Sequence, residues 1–221
     1  MAGRGIYVES SIRAPLAEVW ARTQDLEDHP RWDLRFSSIE PTTLDDEAQR
    51  FRYARRIPWR TVQGVGISIG ERAGADGSRT SALRFATDDP LSPIRSGRGY
   101  WRYVPDGDSV RFITGYDFEP GMGRVVDLVA RPLLGWATAW SFDRLRIWLE
   151  RGEAPERWPL RSVLWIWRPE RPRAARCLRA PASGRHRDDP LRDAPSTLGR
   201  LPDPHGSGRH GSGRHGSGPR R

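Results

Sequence analysis

The chain contains no lysine and no asparagine, and all 37 of its basic residues are arginine. A coding bias accounts for that more economically than selection for guanidinium chemistry, but the chemical consequence stands. A lysine Schiff base is excluded, and Cys177, the one cysteine, leaves residues 1–152 without a thiol nucleophile. A single cysteine also excludes an intrachain disulfide framework. Histidine is nearly as scarce, because His29 is the only one before residue 186. Zinc sites and His-based triads need clustered ligands or a paired nucleophile and base, so neither a metal nor a cofactor is expected. The opening Met1-Ala2-Gly3-Arg4-Gly5-Ile6 has no apolar stretch of signal-peptide length, and a cytoplasmic location is the default expectation.

The positive charge is unevenly distributed. Residues 1–152 hold 22 arginines against 21 acids, a net of +1, whereas residues 153–221 hold 15 against 7, a net of +8. A balanced domain exerts little long-range pull on phosphate, so nucleic acid is not expected as its partner.

Ile6, Val8 and Ile12 alternate as a half-buried strand does, and Pro15 supplies the fixed φ that opens a helix at Leu16-Ala17-Glu18-Val19-Trp20. His29-Pro30-Arg31-Trp32-Asp33 follows. Further on, Phe51, Tyr53 and Ile57 are expected inward and Arg50 and Arg52 outward, until Pro58 ends the run. Val65, Ile67 and Ile69 continue at period two among Gly64, Gly66 and Gly70, glycines that suit a strongly bent sheet. Runs at 81–87, 98–104 and 110–118 follow, the last carrying Val110, Phe112, Thr114, Tyr116 and Phe118 on one face. Asp106-Gly107 is a hairpin turn signal. From about Gly123 the period lengthens: Val126, Val129, Leu133, Trp136, Trp140 and Leu145 mark an amphipathic helix of about 28 residues, about 40 Å long, with Pro132 expected to kink or step it.

The stretch VESSIRAPLAEVWARTQDLEDHPRWD, followed by β-like runs and the closing helix FDRLRIWLERG, resembles the START-like (SRPBCC) superfamily that includes polyketide cyclases and dehydrases. The resemblance covers about residues 4–152. It implies an α+β helix-grip fold, a curved antiparallel sheet of six to seven strands around a long C-terminal helix, with an apolar cavity for a lipid, polyketide or isoprenoid/quinone-like molecule. Within such a cavity, Trp32, Trp59, Trp101, Trp136 and Trp140 together with Tyr53, Phe85, Phe112 and Tyr116 are the candidate ligand contacts, since large flat side chains favour rings and apolar tails.

Two functions compete: a carrier that holds one hydrophobic molecule, and a cyclase/aromatase or dehydrase. For the second, proton transfer falls to Tyr53, Tyr103, Tyr116 or Asp117, with Arg31 or Arg35 holding an anion. After the 1–152 domain, residues 153–168 hold a short apolar segment, too short to span a bilayer. It is expected either to pack on the domain or to contact a membrane surface weakly through 157–168. Residues 169–221, rich in Pro, Arg and Gly and ending in His205-Gly206-Ser207-Gly208-Arg209 repeats, are expected to be a disordered basic tail. A remote third reading gives that tail a polyanion or membrane surface to bind.

Overall fold

A computed structural model describes residues 5–44, 48–71, 74, 76–181 and 189–205. Strand β1 (Ile6–Ile12) leads through Pro15 into α1 (Leu16–Gln24) and the single turn α2 (His29–Trp32). Six more strands follow: β2 (Ser38–Leu44), β3 (Gln49–Ile57), β4 (Arg60–Glu71), β5 (Arg79–Ala86), β6 (Ile94–Asp106) and β7 (Ser109–Pro120). They form one antiparallel sheet in the order β1-β7-β6-β5-β4-β3-β2. Helix α3 (Gly123–Arg151) then packs chiefly on β1 and on the short turn Ala174–Arg176, touches β7 and α2, and ends on Gly152, whose φ of 66° is the left-handed cap that glycine adopts without penalty. It runs unbroken through Pro132. The carbonyl that loses its partner there belongs to Leu128, on an exposed turn where water can satisfy it.

The sheet curves because its concave face is built from cross-strand pairs of an aromatic ring and a glycine. Tyr53 faces Gly64, Phe51 faces Gly66 and Phe85 faces Gly97, and a Cβ on any of these glycines would strike the partner's ring. Each ring can therefore lie flat on the strand beside it. Val65, Ile67 and Ile69 take the opposite, convex face.

That convex face is not bare. Leu198 and Leu201 seal Ile67 and Ala82, with Leu191 and Ala194 alongside, and the Arg84 guanidinium donates to the Leu201 carbonyl at 2.6 Å. Residues 169–181 also pack on the domain, so composition alone misjudges 169–181 and 189–205. A few leucines suffice when a preformed apolar face is waiting for them. The His-Gly-Ser-Gly-Arg repeats lie outside the described residues.

Both edges of the sheet are managed. On β1, Glu9 and Leu178 exchange backbone hydrogen bonds of 2.9 Å in both directions. On β2, Pro41 and a register shift between Pro41 and Thr43 interrupt the ladder.

Strand polarity gathers the β3–β4 turn, the β5–β6 connection and the β7–α3 turn at one end of the sheet. Arg60 to Asp89 at 2.6 Å and Gly121 N–H to the Pro93 carbonyl at 2.9 Å tie them together. Beneath α3 the core is aromatic: Phe112 stacks on Phe142 (4.3 Å between centroids) and Tyr103 (4.9 Å), with fully buried Trp32 beside them.

Candidate functional site

The turn α2 places a buried charge cluster against this core. His29 and Asp33, four residues apart, share one side of the turn, and His29 Nε2 lies 3.1 Å from Asp33 Oδ2. Burial outweighs that carboxylate and holds the imidazole pKa below its ordinary value, so the ring is neutral and Nε2 donates. The ring also stacks on Trp32 at 4.7 Å. Arg35 reaches the same carboxylate, with its Nε 3.0 Å from Oδ1 and a terminal nitrogen 2.6 Å from Oδ2. Although burial alone would raise the Asp33 pKa, the Arg35 and His29 contacts win and drive it far down. Arg35 in turn sits 5.4 Å from the Tyr116 ring centroid.

This cluster makes stability fall with acid. The unfolded chain protonates His29 near pH 6.5, whereas the folded chain resists protonation, so stability drops as pH falls through that value; Asp33 adds to the loss below about pH 4. Urea midpoints are expected to decline between pH 7.5 and 5.5 in the parent protein and to stay level across that window in His29→Phe. Equal slopes in the two proteins would remove His29 from the account.

The candidate tyrosines differ in how firmly their hydroxyls are held. Thr138 Oγ1 donates to the Leu134 carbonyl, so the Tyr116 hydroxyl, 2.8 Å away, donates to Thr138. Tyr103 likewise donates to Thr23 at 2.7 Å, Thr23 itself being bound to the Val19 carbonyl. Tyr53 makes only a long 3.4 Å contact to the Ala86 carbonyl. Burial raises the pKa of all three. Asp117 alternates away from Tyr116 and is bound to Arg131 at 2.8 Å.

The structure divides the nine expected ligand contacts. Tyr53, Phe85 and Trp101 lie half-buried on the concave face, and Tyr116 lies deeper beneath Arg35. Trp32 and Phe112 are fully enclosed core residues. Trp140 is about half a helical turn away from both Thr138 and Phe142, the residues of α3 that meet the sheet, so it points away from the concave face and Trp136 stacks on it at 6.5 Å. Trp59 is 82% exposed at the β3–β4 turn, where an open groove of about 640 Å³ runs past Ile57 and Pro58. Four of the nine therefore belong to one surface, a floor of rings on the concave face.

Arginine placement also departs from expectation. Arg31 is bound to Asp28 and Glu156, and Arg35 to Asp33. Arg55, not singled out in the sequence, follows Tyr53 by two positions on the inward face of β3; it makes no ion pair among the described residues, and loss of hydration lowers its pKa. Strict alternation from Tyr53 to Ile57 is the signal that could have found it. Among the described residues, no cluster of His, Cys, Asp or Glu is arranged to hold a metal.

A curved sheet gripping one long helix above a floor of rings defines a START-like helix-grip domain. More narrowly, the chain belongs to the family described as polyketide cyclase / dehydrase and lipid transport, whose model matches residues 5–150. It is 39% identical over 176 residues to an uncharacterized membrane protein, YndG, of Bacillus subtilis (strain 168), a match covering 76% of this chain and 65% of that one. The chain thus spans just under two thirds of the length of this curated relative. Among its own described residues, no helix is long and apolar enough to cross a membrane. Human StAR-related lipid transfer protein 5 shares the fold with a TM-score of 0.53 at 13% identity, over 69% of this chain and 85% of that one. A STAR-related lipid transfer protein fragment from Xanthomonas axonopodis does so with a TM-score of 0.50 at 22% identity, over 65% and 84%.

Proposed function

We propose that the domain binds one hydrophobic small molecule, of lipid, polyketide or isoprenoid/quinone type, against the concave face of the sheet. The observation that carries this reading is the floor of Tyr53, Phe85 and Trp101, half-buried on the concave face, with the Phe36 ring edge-on to Tyr53 at 5.6 Å. A ring system laid there displaces water from several aromatic faces at once. Arg55 at the same face suits a ligand with a carboxylate or polarised carbonyl at one end, since a poorly hydrated guanidinium gains most from such an acceptor.

The test has two parts. Native mass spectrometry of the purified chain, with extraction and identification of any apolar adduct, asks what the protein carries. Fluorescence titration with 1-anilinonaphthalene-8-sulfonate, which combines fused rings with an anion, asks where it binds. Arg55→Met and Phe85→Ser are each expected to weaken the dye about tenfold. Undiminished affinity in both variants would place binding elsewhere.

An enzymatic reading, cyclase or dehydrase, draws support from the buried His29–Asp33–Arg35–Tyr116 chain, which could hold an enolate oxygen beside Arg35. In that case Tyr116→Phe should abolish turnover while leaving dye affinity unchanged.

A further inference from the structure

The segment that follows α3 lies beyond residues 5–150, the part of the chain matched by the family. It is held firmly at its base. Trp158 is completely buried, Ser162 is enclosed, and Arg144 donates from Nε to the Pro155 carbonyl at 2.8 Å. Its tip is the opposite. Leu164, Ile166 and Trp167 are 73%, 76% and 71% exposed on consecutive short turns, with Leu160 also projecting. An apolar tip on so rigid a base is not a frayed end.

Three features identify what covers it. First, the exposed residues Arg161 and Arg168 flank the tip, with Arg157, paired to Glu153 at 3.3 Å, at its base, and no acid occurs from 157 to 169. Second, three backbone donors of the tip are satisfied internally: Trp165 N–H bonds to the Ser162 carbonyl at 3.0 Å, Ile166 to Leu164 at 2.9 Å and Arg168 to Trp165 at 2.9 Å. Such a loop can enter a medium poor in hydrogen-bonding partners without stranding these donors. Third, Pro155 lies on the side of α3 that carries Trp140, and that same side is bare further towards the helix start, at Val126, Val129 and Leu133.

We infer that residues 157–168 form a docking loop for an anionic lipid bilayer surface. Leu164, Ile166 and Trp167 enter the headgroup region while the flanking arginines meet lipid phosphates. Tryptophan and arginine are the side chains that settle at such an interface, one by its amphipathic ring and the other by its charge. The inference stands independently of the ligand-binding reading.

Co-sedimentation of the full chain with phosphatidylcholine vesicles, with and without phosphatidylglycerol, tests it. Binding is expected to the anionic vesicles and to weaken as salt is added. The triple variant Leu164→Ser, Ile166→Ser, Trp167→Ser should lose about tenfold or more in partitioning, with its urea midpoint unchanged because these side chains are solvent-exposed. Arg161→Glu with Arg168→Glu should lose binding on anionic vesicles. Undiminished binding by the triple variant would assign adsorption to other arginines and overturn the proposal. So would a parent protein that ignores vesicles yet sediments as a dimer that the triple variant dissolves, since the tip would then be a contact between two copies of this chain.

Discussion

Asp33→Ala is expected to cost about 3–5 kcal/mol, among the largest losses available from one side chain outside the aromatic core. The Asp33 side chain has no solvent exposure, and removing its carboxylate leaves the Arg35 guanidinium enclosed against Tyr116 without its counter-ion. The imidazole of His29 loses its acceptor as well. Urea unfolding followed by tryptophan fluorescence measures the loss. Because most of the penalty is the stranded charge, Asp33→Ala combined with Arg35→Met should recover a large part of it. A single variant within about 1 kcal/mol of the parent would mean that water reaches the pair.

Asp143→Ala should be comparably damaging, about 3 kcal/mol, for a different reason. This carboxylate, also without exposure, accepts from Arg146 Nε at 2.8 Å, the Arg173 backbone N–H at 2.7 Å and an Arg176 terminal nitrogen at 2.9 Å. It is the pin that fastens residues 169–179 to α3. Its removal should release the segment before the domain unfolds, and the chain carries its own reporter. Cys177 is buried with its thiol 3.2 Å from the Ala139 carbonyl, and burial pushes its pKa up to about 12. Alkylation by iodoacetamide at pH 8 is therefore expected to be very slow in the parent and at least tenfold faster in Asp143→Ala. Arg176→Ala keeps the carboxylate and should give a smaller acceleration, separating release of the segment from any direct field of Asp143 on the thiol. Protection that survives both substitutions would show that the segment is held by packing alone.

Much of the scaffold is legible in residue order. Alternation in Ile6–Ile12 and 110–118, the Pro15 helix start, the change of period at Gly123 and the Gly152 stop each act locally, so a short window contains the whole cause. What was not legible depends on partners distant in sequence. Leu198 and Leu201 look like stray apolar residues in a Pro- and Arg-rich stretch until Ile67 and Ala82 are known to lie on the side of β4 and β5 opposite the ring-bearing glycines. Trp140 shares a helix with Phe142, but only the register of α3 on β7, fixed by Tyr116 and Thr138, decides which of them meets the sheet. Trp59 follows Pro58 in a turn and stands largely exposed there, a placement its size does not announce. The site was half legible for the same reason: Tyr53, Phe85 and Trp101 follow from strand alternation, whereas the His29–Asp33–Arg35 chain exists only because a single helical turn folds three polar groups together under an aromatic lid.

The pairing of Glu9 with Leu178 gives the C-terminal segment a second role besides covering α3. An outer strand with unsatisfied amides is a template on which another chain can grow, and β2 is protected from this by Pro41 and its bulge. β1 carries no proline, and at Glu9 the partner that occupies its outer backbone groups is borrowed from residue 178. A nick or truncation ahead of that residue would therefore leave β1 open for edge-to-edge addition of other chains, so that proteolytic trimming of this chain bears on its colloidal behaviour as much as on its fold.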